Sequence, residues 1–457
     1  MELNPNTAAA NKLFLDGAKA LARVSQQGMQ IDVPKLKKNQ KKLSKDIVKL
    51  EKEFKASKFY KQWDKSVAGN VNIYSKPQLS TFLYKVKKVK VLKETAKGNA
   101  STDSETLKRL NIPELSILLE ISKLKKIRDT FLAGILREQV DGVLHPFFTL
   151  HNVSSFRSAS KNPNLQNLSK RNKVAAKLIR GCILPRKGNQ LMELDFKSLE
   201  VSMGVTVHKD PTMRKYLLDE KSDMHRDMTK EIYLIKKYDS EKHGFLRSST
   251  KNGFVFPQFY GDYYKNNANS LACVWNELPK GTWKDGMGVD NIAGHLIKQG
   301  IKSYSQFEKH LQGIEYDFWN KRFKVYSRWK DKIWKQYQEK GYIDSLTGFR
   351  FNAIMDKKQA SNYPIQAIAF HCLLWSLIQI DKMLHEEGWK SRIVGEIHDS
   401  IVFDAHPKEV KKLVKRAREI MTVKLMEHWE WINVPLAVTV DLGGIDESWN
   451  KVKETKL

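Results

Sequence analysis

Ile393-Val394-Gly395-Glu396-Ile397, then His398-Asp399-Ser400, then Ile401-Val402-Phe403 reads as a β-hairpin: β-branched and apolar residues run up to a polar break and resume after it. The break sets Asp399 at the hairpin tip. Far upstream, Leu191-Met192-Glu193-Leu194 is a second short apolar run, and it ends in Asp195. Carboxylates on adjacent rigid strands can bridge a pair of divalent cations, one activating an attacking oxygen and one steadying a leaving oxygen, which is the chemistry of nucleotidyl transfer. An Asp at a strand end is also an ordinary turn residue, so the pairing takes its meaning from its surroundings.

The 457-residue chain carries 80 Lys and Arg against 51 Asp and Glu, a formal charge of +29 and a sequence pI near 9.7. Such an excess suits a polyanionic partner, with a generically basic soluble protein as the alternative. The length allows about two to four structural units around a large core. Cys182, Cys273 and Cys372 show no CxxC spacing, so they suggest neither a zinc site nor a disulfide framework and fit a reducing cytoplasm. No apolar stretch approaches the roughly 20 residues that cross a bilayer. The start of the chain lacks the basic and apolar blocks of a signal peptide, so no membrane partner is expected.

Residues 7–150 read as mostly helical. Leu36, Leu43, Ile47, Leu50 and Phe54 share one face of an amphipathic helix whose other face is crowded with lysine. Ser101-Thr102-Asp103-Ser104-Glu105 reads as a capped helix start. A further helix is predicted over Leu115–Leu136, with Leu118, Leu119, Ile121, Leu124, Ile127 and Phe131 as its buried stripe. This part is either an interaction arm or a clamp laying lysines along a nucleic-acid backbone. Loop, strand and turn character prevails over residues 151–208, and helices return over 210–340. Residues 262–312 form an aromatic-rich insertion, with Tyr263, Tyr264, Trp275 and Trp283, to which the sequence assigns no chemistry. The last part, residues 341–457, holds a helix over Ala360–Leu384, the Asp399 hairpin, a helix over Pro407–Trp431 and a closing strand over Leu436–Val440.

Three motifs stand in order: Asp195-Phe196-Lys197-Ser198-Leu199-Glu200-Val201; Arg247 followed by Lys251, Phe256 and Tyr260-Gly261; and Ile397-His398-Asp399-Ser400. Together they resemble the polymerase domain of family A DNA polymerases, the group of DNA polymerase I and its bacteriophage relatives, from about residue 10 to the C-terminus. The resemblance implies an α+β right-hand fold with an antiparallel-sheet palm, helical fingers and a helical thumb. The thumb would occupy residues 1–150, the palm 151–208 and 341–457, and the fingers, with the insertion, 209–340. It implies Asp195 and Asp399 as catalytic metal ligands, the Phe196 backbone carbonyl as a further ligand, and two Mg²⁺ ions, replaceable by Mn²⁺, as cofactors. Glu200 would lie beneath the sugar, where a bulky side chain excludes a ribose 2′-hydroxyl by clash.

The resemblance also places Arg247 and Lys251, one helical turn apart, against a triphosphate, with His225 of Asp223-Met224-His225 nearby. Phe256 and Tyr260 repeat that spacing and could stack on the incoming base and its template partner. From Lys251 to Phe256 the chain is one residue longer than the family pattern, and Gly253 and Pro257 interrupt it. Either the helix carries a bulge or the lysine register differs. Ser400 stands where the family has Glu, which predicts weaker metal or primer organisation rather than lost chemistry. Arg157 and Asn162-Pro163-Asn164-Leu165-Gln166-Asn167 resemble the template–primer segment; Arg180, Arg350, Asn362, Gln366 and His398 match further DNA-contacting positions. The implied partners are primer–template DNA and dNTPs. Few residues precede the thumb-like Gly28-Met29-Gln30-Ile31-Asp32, so proofreading is expected to be either absent or supplied by a separate exonuclease, with a separate processivity factor as a further candidate partner. Two alternatives stand beside this reading: a polymerase-derived nucleic-acid-binding protein that is no longer catalytic, and a single-subunit RNA polymerase, which Glu200 opposes.

Overall fold

Both acid-bearing segments become strands of one sheet. In the computed structural model, β1 (Gln190–Phe196), β2 (Arg392–Ile397), β3 (Ser400–Ala405), β4 (Val438–Leu442) and β5 (Lys453–Glu454) lie in the order β5-β4-β1-β3-β2, each neighbouring pair antiparallel. The structure describes residues 7–95, 97–110, 112–168, 173–274, 278–285 and 292–457; Trp275 and the first six residues of the chain lie outside them. β3 is buried throughout, β2 everywhere but Arg392, and β1 everywhere but Gln190 and Asp195. Such near-continuous burial is what strands covered on both faces show, and it includes the acids Glu193, Glu396 and Asp404. Gly395 marks the closest approach, since a Cβ there would come within 2.7 Å of Met29 Cε and 3.1 Å of Leu165 Cδ2.

The chain divides into a first unit, Met1–Leu43, Lys126–Arg214 and Val325–Leu457, and a second unit, Ser44–Lys125 and Lys215–Lys324. These boundaries differ from the sequence reading, for reasons visible in the packing. Helix Ala8–Gln27 buries Ala10, Leu13, Gly17, Ala20, Leu21 and Val24, and its Arg23 pairs through Nε with Asp381 at 2.7 Å. It belongs with the sheet unit rather than with a separate helical arm. Helix Lys324–Lys340 begins at the same unit: Tyr326 stacks on His208 at 4.1 Å, and the Asp210 carboxylate accepts from the amides of Val325 and Tyr326 at 3.1 and 3.0 Å.

On helix Val33–Ala56, Leu36, Leu43, Ile47 and Phe54 are buried and Leu50 half-buried, close to the predicted stripe. The helix predicted over Leu115–Leu136 forms as Pro113–Lys125, a π-helical turn Lys126–Leu132, and Ala133–Glu138. The wider turn rotates the stripe, so Leu132 rather than Phe131 is buried. Helix Lys357–Glu386, predicted over Ala360–Leu384, is long and apolar enough to cross a bilayer by those measures alone, contrary to the expectation that no stretch approaches that length. Yet 78% of its most apolar window is buried within the protein, which is the setting of a core helix. In the second unit, Trp283 is 1% exposed, stacks on Phe307 at 5.4 Å and donates from Nε1 to the Ile301 carbonyl at 3.2 Å. The aromatic insertion therefore has a packed core of its own.

Candidate active site

The register sets Ser400 opposite Asp195, and the Phe196 amide donates to the Asp399 carbonyl at 3.1 Å. The two aspartates thus occupy neighbouring positions at one end of the sheet. His398 is exposed at a left-handed φ of 57°, and Ser400 Oγ closes the turn by donating to the Ile397 carbonyl at 3.0 Å. Burial, then the charges of Asp195 and Glu200, push Asp399 up to about 6, with only Arg157 acting against them. Like charges forced together favour a divalent cation, which relieves the repulsion. Among the described residues no cluster of three or more His, Cys, Asp or Glu side chains has the makings of a metal site. The donor set here is a pair of carboxylates, which fits a hard ion that takes oxygen ligands and keeps much of its water, as Mg²⁺ does.

Glu200, in the first turn of helix Leu199–His208, accepts from Arg157 Nη2 at 2.9 Å, each side chain about one-third exposed. Residues that the sequence reading gave to sugar and DNA are therefore paired with one another. Beside them lies an acid that reading passed over. Glu396, 1% exposed, accepts from Ser158 Oγ at 2.6 Å and Gln166 Nε2 at 3.1 Å, and Gln166 also donates to Ser158 at 2.7 Å. Gln166, expected at DNA and half-buried, ties the Arg157 segment to β2. The available signal was a lone Glu inside a β-branched strand.

Burial raises Glu396 to about 7 despite the hydrogen bonds that favour its charge, and its Oε1 has no hydrogen-bond partner. A folded-state value above the ordinary 4.5 means that folding favours the protonated form, so the stabilisation is complete below pH 4.5 and is lost as pH rises through about 7. Glu396→Gln should match the parent near about pH 5 in urea melts and exceed it by about 2 kcal/mol near about pH 8.5. Equal stabilities at both pH values would refute a neutral Glu396.

Arg180 requires a correction. It is 4% exposed, donates from Nη1 to Glu193 at 2.9 Å and from Nη2 to the Leu168 carbonyl at 3.2 Å, and its guanidinium lies 4.0 Å from the Trp449 ring centroid. That is a core ion pair, out of reach of DNA. Arg180→Ala should lower the unfolding free energy by about 3 kcal/mol, because it strips a buried carboxylate of its cation; a change within experimental error in chemical denaturation would contradict this. Arg350 is also engaged, bidentate to Asp344 at 2.8 and 3.0 Å and 3.8 Å from the Tyr342 ring centroid. Asn164 caps the short turn Leu165–Asn167 by accepting from the Asn167 amide at 3.2 Å, and both asparagines remain at least partly exposed. Asn362 and Gln366 are half-buried on a stretch of helix Lys357–Glu386 whose neighbouring positions are mostly buried, which leaves their amides accessible.

A separate cluster forms in the second unit. Asp223 caps helix Met224–Ile232 by accepting from the Arg226 amide at 3.0 Å, and the same carboxylate takes Arg247 as a fork, Nε at 2.7 Å and Nη2 at 3.1 Å. That partner for Arg247 was not foreseen in the sequence. His225 meets Phe256 edge-on at 5.9 Å and is pushed down to about 4 by burial and by the charges of Lys251 and Arg247. Lys251 Nζ lies 5.0 Å from the Phe256 ring centroid. The extra residue after Lys251 is absorbed by a π-helix, Lys251–Val255, in which the Phe256 amide bonds to the Lys251 carbonyl. Of the two readings, the bulge is the one observed. Tyr260 ends the helix 46% exposed.

The model of DNA polymerase family A matches residues 33–451. DNA polymerase I of Aquifex aeolicus (strain VF5) is 26% identical over 436 residues, covering 94% of this chain and 66% of the relative. The DNA polymerase of Bacillus phage SP01 is 25% identical over 415 residues, covering 84% of this chain and 41% of the relative. The chain therefore spans less than two-thirds of these curated relatives' length. The POL domain of Pol1 from M. smegmatis, solved in complex with DNA primer-template and dNTP, shares the fold with a TM-score of 0.74 at 21% identity, covering 96% of this chain and 70% of that one.

Proposed function

The chain belongs to DNA polymerase family A, and on that premise we propose that it extends a DNA primer along a template with dNTPs by nucleotidyl transfer. The observation that carries this reading is the Asp195–Asp399 pair, Asp195 on β1 and Asp399 in the β2–β3 turn beside it, with Asp399 raised to about 6 by burial and by its neighbours' charge. Two Mg²⁺ ions, or Mn²⁺ in their place, held by Asp195, Asp399 and the Phe196 carbonyl would acidify the primer 3′-hydroxyl and take up charge on the departing pyrophosphate. Side chains do the rest. Arg247 and Lys251 bind the triphosphate and offset negative charge as it moves to the leaving group. His225, neutral at physiological pH, can offer a hydrogen bond there without adding charge. Phe256 and Tyr260 present rings to the nascent base pair. Arg157, His398, Asn362 and Gln366 face primer and template, reading backbone and minor groove rather than sequence. Cys182, Cys273 and Cys372, without CxxC spacing, suit a reducing cytoplasm.

Primer extension with dNTPs, and separately with rNTPs, each with and without Mg²⁺, tests this. Metal-dependent extension with dNTPs is expected; DNA binding without extension would favour a catalytically reduced binding protein, and efficient rNTP use a polymerase of RNA. Glu200→Ala should raise rNTP incorporation relative to dNTP by roughly tenfold or more. An unchanged ratio would remove Glu200 from sugar selection.

A further inference from the structure

Within the second unit, residues distant in sequence meet: Lys90, Lys93, Thr106 and Arg109 on one stretch, and Asp262, Asn266, Asp285 and Tyr304 on the other. Lys90 Nζ donates to the Asp285 carbonyl at 3.0 Å, and the Arg109 guanidinium lies 6.0 Å from the Tyr304 ring centroid. Arg109 is 3% exposed. The receiving residues are themselves tied together: the Asp285 carboxylate accepts from the amides of Tyr304 and Ser305 at 3.1 and 3.4 Å, and the Tyr304 hydroxyl donates to Asn269 at 2.7 Å. Tyr304 and Phe307 both border Trp283, at 6.1 and 5.4 Å between ring centroids, so this surface stands on the insertion's own core.

Between the two stretches lies a cavity of about 180 Å³, lined by Lys93, Thr106 and Arg109 on one side and Asp262, Asn266 and Ser270 on the other. Thr106 Oγ1 is buried without a hydrogen-bond partner. A contact so polar and incompletely filled gains little from apolar burial, and its strength resembles that of interfaces that open and close. The chain path makes the contact consequential. Residues 44–125 leave the first unit and return to it, as do residues 215–324, and the contact joins these two excursions to each other.

We propose that this contact is a latch that retains primer–template between successive incorporations, with the aromatic-rich insertion as the receiving surface for Lys90 and Arg109. The proposal rests on the polymerase reading above. It also gives the insertion, silent in sequence, a part in the catalytic cycle, since Lys90 and Arg109 grip it and their release lets DNA exchange.

The test breaks the contact from each side, with Lys90→Ala plus Arg109→Ala on one stretch and Tyr304→Ala on the insertion. Product length per binding event is read with excess unlabelled primer–template trapping released enzyme, and single-dNTP addition is read on pre-bound DNA. Each variant should shorten the product about threefold or more and speed DNA dissociation to match, with the single-addition rate unchanged; the combined variant should be no worse than either, as for two partners of one contact. Should the substitution of buried Arg109 or Tyr304 unfold the protein, Lys90→Ala alone, at an exposed side chain, serves with the same expected direction. Unaltered product length in a variant with the parental melting temperature overturns the latch. Failure of the parent to extend a primer would instead overturn the polymerase reading.

Discussion

Replacing Asp399 with asparagine will reduce primer extension by about 10³-fold or more while leaving duplex affinity within about twofold. The substitution keeps the shape of the turn but removes one of the two carboxylates at this end of the sheet. Stability should move the other way. Asp399 is raised to about 6 from 3.8, so its contribution is greatest below pH 3.8 and is lost as pH rises through about 6. Without metal near about pH 8, the asparagine variant should therefore be more stable than the parent by about 2 kcal/mol. Mg²⁺ should raise the parent's melting temperature, because it binds the folded pair, and should do so far less for the variant. Extension at the parental rate, or an undiminished response to Mg²⁺, would take Asp399 out of the metal site.

Replacing Arg247 with alanine should raise KM for dNTP by about 10- to 100-fold, the loss expected for a charge-assisted contact to phosphate. Burial works against the charge on Asp223, but the hydrogen bonds from Arg247 and the Arg226 amide prevail and hold its carboxyl below the usual range. Removing Arg247 will therefore let that value rise and loosen the start of the helix that carries His225. Arg247→Lys, which keeps charge but loses the fork, should fall between the two. Steady-state kinetics on a fixed primer–template decide the matter, and a KM unmoved by Arg247→Ala would separate Arg247 from the triphosphate.

The hairpin was legible because its cues are local: β-branched runs on both sides of His398-Asp399-Ser400 leave little choice but a turn. The acidic pairing was legible only through the ordered motifs around it, and the register of β1 with β3 then set Asp195 beside the turn that holds Asp399. Arg180 was misread, and the packing role of Gln166 missed, for one reason. Their chemistry suits DNA, but a linear pattern does not say which way a side chain points, and here the partners are Glu193, Trp449, Ser158 and Glu396. The same limit applied to helix Ala8–Gln27: its periodicity announced a buried stripe without naming the surface that covers it.

Taken alone, the amino-acid order determined the family, the strand that ends in Asp195, the hairpin turn that holds Asp399 and the residue types that can meet a triphosphate, because these depend on spacing along a few turns or one hairpin. Tertiary structure decided how the charges pair and which are shut in: Asp223 with Arg247, Arg157 with Glu200, and Glu396 buried in the strand that leads to the Asp399 turn. Burial and charge neighbours act through space, and the segments that supply them lie far apart along the chain.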